Sequence, residues 1–223
     1  MRVLFLDIDG CLNTSPFGEY LYDFNLSEVK ERYNDLTYLE DRIPICKANL
    51  DALKHIVDNI SDLGIVWSTD WRFDEDDEYA SKFCWRNPKL WLETLPWLKD
   101  KIIGMNPKKM SSTRVEEIHF WFKGNEYGKK NVDKEWLNNK LVSNHSTYFN
   151  KSYYDIDNYV IIDDYNTSGM TLYGKHFFYC NPLYGLTMKM ANEIIAYLKT
   201  NDFNESDMDW ERKDDEKRTI FET

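Results

Sequence analysis

Short, continuous apolar runs alternate along this chain with longer segments of mixed polarity. Residues 3–6 (Val-Leu-Phe-Leu), 65–67 (Ile-Val-Trp) and 159–162 (Tyr-Val-Ile-Ile) are each too short for a helix and apolar throughout. That is the pattern of central parallel strands covered on both faces. Residues 102–104 and 176–180 read as two further strands. Between the strands, Leu50, Leu53, Ile56, Val57 and Ile60 recur at three- and four-residue spacing and predict an amphipathic helix that Pro44 opens and Gly64 ends. Residues 186–198 predict another helix, and residues 73–100 one or two more, carrying Trp85, Trp91, Leu92, Leu95, Trp97 and Leu98. Ser111, Ser112 and Thr113 precede Arg114 and a segment with Glu116 and Glu117, which is helix-start chemistry. The alternation of strand and helix predicts an α/β fold, a Rossmann-like parallel sheet sandwiched by helices.

The rest of the chain lacks this regularity. Residues 15–42 are rich in Tyr, Glu, Asp and Leu without clean periodicity, so the segment 14–43 is expected to form a small cap or lid. Residues 123–158 read as a polar insertion or extended loop, and the charged stretch 201–223 as a solvated tail beyond a domain spanning 1–200. No internal repeat is visible. A length of 223 residues suffices for one full core plus a small lid.

Charge narrows the choice of partners. The net charge of −11 argues against an extended electrostatic footprint on a nucleic-acid duplex and leaves a terminal phosphate or a small anion as the plausible substrate. Cys11, Cys46, Cys84 and Cys180 are far apart and form no metal-ligand pair, so they are expected to be buried free thiols in a reducing compartment. No apolar run reaches the roughly 18 residues of a spanning helix, and no segment of cleavage type is visible at the start; the expected location is the cytoplasm.

The chemistry-bearing residues gather where the apolar runs stop. The first run ends in Asp7-Ile8-Asp9-Gly10, the second in Ser68-Thr69, and the third in Asp163-Asp164, with a helix starting near Arg114 between the last two. Gly10 permits a tight turn that lets Asp7 and Asp9 face one small site. Each element has a plain alternative: aspartates that only cap a turn, a capping serine, a surface arginine, a solvated acidic turn. Their recurrence at successive strand ends is what favours a shared site, since open α/β sheets place their chemistry at the carboxyl ends of strands. Four carboxylates brought together require protonation or a cation, and oxygen-only ligands beside a phosphate point to Mg²⁺. A calcium loop is disfavoured because a strand precedes the aspartates and the spaced oxygen ligands and terminal Glu are missing.

In these motifs the chain resembles the haloacid-dehalogenase-like (HAD) phosphatase superfamily, with Asp7-Ile8-Asp9-Gly10 as first motif, Ser68 as second, Arg114 as third and Asp163-Asp164 as fourth. The wording of residues 6–13 and 68–72, and of Arg114 with Glu117, Ile118 and Trp121, is similar to the HAD domain of Swiss Army Knife RNA repair proteins. The superfamily's third-motif residue is often lysine, which leaves Lys108 and Lys109 as rivals to Arg114. The resemblance implies that Asp7 attacks phosphorus to form an aspartyl-phosphate and that Asp9 protonates the leaving oxygen and then activates water. It further implies that Ser68, the Thr69 N–H and Arg114 hold the phosphoryl group. Mg²⁺ would be bound by Asp7, the Asp9 carbonyl and Asp163, with Asp164 acting through water.

The function expected is therefore a Mg²⁺-dependent phosphomonoesterase acting on a nucleotide or nucleic-acid terminal phosphate. A small-metabolite phosphatase and a non-catalytic module on the same fold are the alternatives, the latter disfavoured by the intact Asp7 and Asp9. A response-regulator receiver is disfavoured because the second acidic pair comes late in a long chain. The lid segment carries Phe17, Tyr20, Tyr22, Phe24, Tyr33 and Tyr38, of which Tyr20, Tyr22 and Tyr33 are the candidates to stack on a base.

Overall fold

The computed structural model describes residues 1–14, 45–69, 89, 92–106, 113–130, 155–166 and 169–203. Five strands, β1 (Arg2–Leu6), β2 (Leu63–Trp67), β3 (Ile102–Met105), β4 (Asn158–Asp163) and β5 (Phe177–Tyr179), form one sheet in the order β3-β2-β1-β4-β5. All pairings are parallel. The helices are α1 (Lys47–Asn59), the single turn α2 (Pro96–Lys99), α3 (Arg114–Lys130) and α4 (Met188–Leu198), with a 3₁₀ segment over Met170–His176. This is the Rossmann-like α/β architecture expected from the alternating pattern.

Strand side chains alternate between two cores. From β1, Leu4 and Leu6 enter one core with Leu53 and Ile56 of α1 and Ile194 and Leu198 of α4. Val3 and Phe5 enter the other, with Ile118, Trp121 and Phe122 of α3. The second core is ring-rich: Phe5 meets the Trp121 and Phe122 rings at centroid distances of 5.2 Å, and Tyr159 lies 5.0 Å from Phe122. Burial on both faces explains why these strands read as unbroken apolar runs.

Several boundaries differ from the sequence reading. Gly64 does not end α1: the helix stops at Asn59, and Gly64 lies inside β2, where a Cβ would fall 2.5 Å from Met1 Cε and 2.6 Å from Ile103 Cδ1. Close packing across the strand, not chain termination, explains that glycine. The helix beginning at Arg114 runs on to Lys130, into the segment expected to be an extended loop. No proline interrupts it, and propagation adds a hydrogen bond with each residue. Helix α4 starts at Met188 because Thr187 caps it, its hydroxyl accepting from the Met190 N–H at 3.2 Å. No helix among the described residues is long and apolar enough to cross a membrane. Cys11, Cys46 and Cys180 are buried free thiols, while Cys84 lies outside the described residues.

Candidate active site

Sheet register brings the strand ends together. Leu6 pairs with Trp67 on one side and Ile162 on the other, and Trp67 pairs with Met105. The ladder continues one step: the Asp7 N–H donates to the Ile162 carbonyl at 3.0 Å, Ser68 N–H to Leu6 at 2.9 Å, and Asn106 N–H to Trp67 at 2.8 Å. Asn106, Ser68, Asp7 and Asp163 therefore form one row across four adjacent strands at the carboxyl edge. Side-chain alternation then decides where they point. Asp7 shares the parity of Val3 and Phe5, Ser68 that of Val66, and Asp163 that of Tyr159 and Ile161, all members of the core that packs on α3.

From that face Arg114 enters. Thr113 caps α3 in a reciprocal box: its N–H and hydroxyl donate to Glu116 Oε2 at 2.7 and 3.0 Å, and the Glu116 N–H returns to Thr113 Oγ1 at 3.4 Å. The Tyr173 hydroxyl donates to the Val115 carbonyl at 3.1 Å and ties the same turn to the 3₁₀ segment. So fixed, Arg114 reaches Asp7 Oδ2 with Nη2 at 3.3 Å and Asp163 Oδ2 with Nε at 3.1 Å, while Nη1 lies 3.7 Å from Glu117 Oε2. Lys108 and Lys109 lie outside the described residues.

The turn after Asp7 is held by its own backbone. The N–H groups of Cys11, Leu12 and Asn13 converge on the Ile8 carbonyl, and Gly10, at φ 65°, donates to Asn13 O at 2.7 Å. A Cβ on Gly10 would fall 2.1 Å from Asp164 Oδ2, so this glycine admits Asp164 to the site as well as permitting the turn. Asp9 is exposed, and its Oδ1 accepts from Asn13 Nδ2 at 3.0 Å.

Carboxylate oxygens of Asp7, Asp163 and Asp164 lie within 4.8 Å of one another. Burial pushes the Asp7 carboxyl up most strongly; Arg114 and the Ile8 N–H oppose this, Asp163 and Asp9 add to it, and the result lies well above the ordinary carboxylate range. A divalent cation would reverse that balance by favouring the ionised form. The donor set of carboxylate oxygens fits a hard cation such as Mg²⁺, with Asp7, Asp163 and Asp164 the side chains able to hold it. Burial likewise raises the Cys11 thiol well above its usual value, which removes it as a thiolate nucleophile.

The structure thus gathers Asp7, Asp9, Ser68, Thr69, Arg114, Asp163 and Asp164 at one end of the sheet, with Ser68 and Thr69 fully buried. The side chain of Asp9 stands outside the three-carboxylate group. Tyr20, Tyr22 and Tyr33 lie outside the described residues, as do Phe17, Phe24 and Tyr38. Sequence reading passed over Asn106, although it ends an apolar run as Asp7 and Ser68 do, and gave no role to Asn13 or Glu117.

A family model for the HAD domain in Swiss Army Knife RNA repair proteins matches residues 3–191, from the first strand into α4. No curated protein and no solved structure gives a significant match. The match takes in every motif of the site, from Asp7 to Asp164, and the chain belongs to the family of HAD domains found in Swiss Army Knife RNA repair proteins.

Proposed function

We propose that this protein is a Mg²⁺-dependent phosphomonoesterase that works through an aspartyl-phosphate on Asp7, with the terminal phosphate of a nucleotide or nucleic acid as substrate. The observation that carries this reading is the row at the sheet edge: a buried carboxylate on the central strand, flanked by Ser68 on one neighbour and Asp163 on the other, with Arg114 3.3 Å away. Asp7 attacks phosphorus, the P–O bond to the leaving group breaks, and Asp9 delivers the proton that the departing oxygen needs. Water then attacks the phosphorus of the acyl phosphate with Asp9 as base, releasing phosphate and restoring the Asp7 carboxylate. The exposure of Asp9, against the burial of Asp7, suits a group that exchanges protons with leaving group and water. Ser68, the Thr69 N–H and Arg114 bind the phosphoryl oxygens. Mg²⁺ held by Asp7, Asp163 and Asp164 would supply charge neutralisation between nucleophile and phosphate.

The substrate class is supported by the RNA-repair family and by the strong net negative charge, which disfavours long duplex contacts but not a nucleic-acid end. At least one of Tyr20, Tyr22 and Tyr33 is expected to stack on the base. The widely spaced cysteines support a reducing, cytoplasmic setting.

The test is a turnover panel of free nucleotides, 3′- and 5′-phosphorylated oligonucleotides, and sugar phosphates. Activity should fall on nucleotide or oligonucleotide ends, vanish in EDTA, return with Mg²⁺ and return poorly with Ca²⁺. Asp7→Asn should abolish it, because an amide is a poor nucleophile. Hydrolysis by Asp7→Asn at near wild-type rate would refute the nucleophile assignment. Turnover of sugar phosphates alone would place a metabolite phosphatase first.

A further inference from the structure

Ser68 does not sit alone at the end of β2. Asn106 follows the last residue of β3 and is locked beside it in register, its N–H donating to the Trp67 carbonyl at 2.8 Å. The Asn106 Nδ2 donates to Ser68 Oγ, also at 2.8 Å. Asn106 is 1% exposed and Ser68 is fully buried, so water does not compete for this bond. A serine hydroxyl has one proton and two acceptor positions. With one acceptor position filled by an amide N–H, the proton is directed elsewhere, and no described residue receives it.

The other half of the carboxamide is equally telling. Asn106 Oδ1 is buried with no hydrogen-bond partner among the described residues. A buried acceptor in that state is costly, and an apolar side chain would fill the end of β3 without the cost. Packing therefore does not account for asparagine here, whereas the orientation of Ser68 does.

We propose that Asn106 is a positioning residue for phosphoryl binding, its amide N–H fixing Ser68 so that the serine hydroxyl acts as a dedicated donor to the substrate phosphate. The assignment rests on the phosphomonoesterase reading above and extends it to a residue just beyond the end of a fourth strand. Asn106 acts only through Ser68, which makes a coupling prediction.

The experiment compares Ser68→Ala, Asn106→Leu and the double variant in the full-length chain with Mg²⁺, reading kcat/KM for an aryl phosphate and the inhibition constant of inorganic phosphate. Leucine keeps the branched shape of asparagine and removes the donor. Asn106→Leu should lower kcat/KM about tenfold and Ser68→Ala about ten- to a hundredfold, with phosphate inhibition weakened in parallel. The double variant should be no worse than Ser68→Ala alone. Asn106→Asp serves if the leucine variant does not fold. Its carboxylate draws the serine proton to itself and should reduce kcat/KM at least as much. Losses that multiply in the double variant, or a wild-type phosphate inhibition constant in Asn106→Leu, would overturn the role of Asn106 and leave the phosphatase reading standing. Absence of any Asp7-dependent turnover in the unmodified protein would instead remove both.

Discussion

Replacing Arg114 by methionine should unfold this protein more readily than any single surface change, and most of all without metal. Arg114 is 11% exposed and faces Asp7, Asp163 and Glu117, whose side chains are 7%, 0% and 4% exposed. At separations of 3.3, 3.1 and 3.7 Å, each pair carries roughly 5 kcal/mol of attraction when its carboxylate is ionised, at an effective dielectric of about 20. Much of this is offset by the cost of taking the charges out of water. What remains decisive is the state left behind: three buried carboxylates with their shared counter-charge gone. Removing one partner of a buried pair costs about 3–5 kcal/mol. The lower end applies here, because Asp7 already tends toward its neutral form and protonation caps the penalty. A loss of about 3 kcal/mol corresponds to a melting temperature lower by about 6–12 °C for a domain of this size. The assay is urea denaturation of wild type and Arg114→Met in chelator and again in excess Mg²⁺. The cation should stabilise the variant more than the wild type, since in the variant Arg114 no longer places its positive charge beside the carboxylates; saturation at about a hundred times the dissociation constant contributes about 2.7 kcal/mol. A metal-free loss below about 1 kcal/mol, or equal stabilisation of both proteins by Mg²⁺, would refute the view of Arg114 as the standing counter-ion of the site.

Two further expectations concern the turn and the sheet's opposite edge. Gly10→Ala forces a side chain into the left-handed region, at about 1–2 kcal/mol, and its Cβ, 2.5 Å from the Cβ of Asp164, pushes that carboxylate out of the site. Mg²⁺ affinity by calorimetry should fall about 10–100-fold, and an unchanged affinity would show that Asp164 does not hold the cation. At the amino end of β1, partial burial pushes Asp62 up, but Arg2, whose Nη1 donates to both Asp62 carboxylate oxygens at 2.9 and 2.8 Å, outweighs it and lowers its pKa. A depressed carboxylate contributes stability that is present above its unfolded pKa of about 4 and lost as pH falls through the folded value. The stability gap between wild type and Asp62→Asn should be under about 1 kcal/mol at neutral pH, given the exposure of the pair, and should close in acid and in high salt. A gap that persists in acid would assign it to packing.

The sequence by itself determined the layering and the motif residues. Strands buried on both faces must be apolar throughout, so β1, β2 and β4 stood out as runs, and what interrupts such a run is conspicuous: Asp7, Ser68, Asp163. Helix α1 was legible because one buried face imposes a fixed spacing on Leu50, Leu53, Ile56 and Val57. Boundaries were less legible, since Gly64 reads the same whether it ends a helix or makes room for Met1 and Ile103. Only the tertiary structure decided who meets whom. The order β3-β2-β1-β4-β5 and its register set Asn106 beside Ser68 and Asp7 between Ser68 and Asp163, pairings between residues far apart in the chain that no local pattern encodes. The capped first turn of α3 then aims Arg114 at two carboxylates on neighbouring strands. A local signal names the groups that are costly to bury; the fold alone, by bringing distant strand ends to one edge, decides which of them compensate one another.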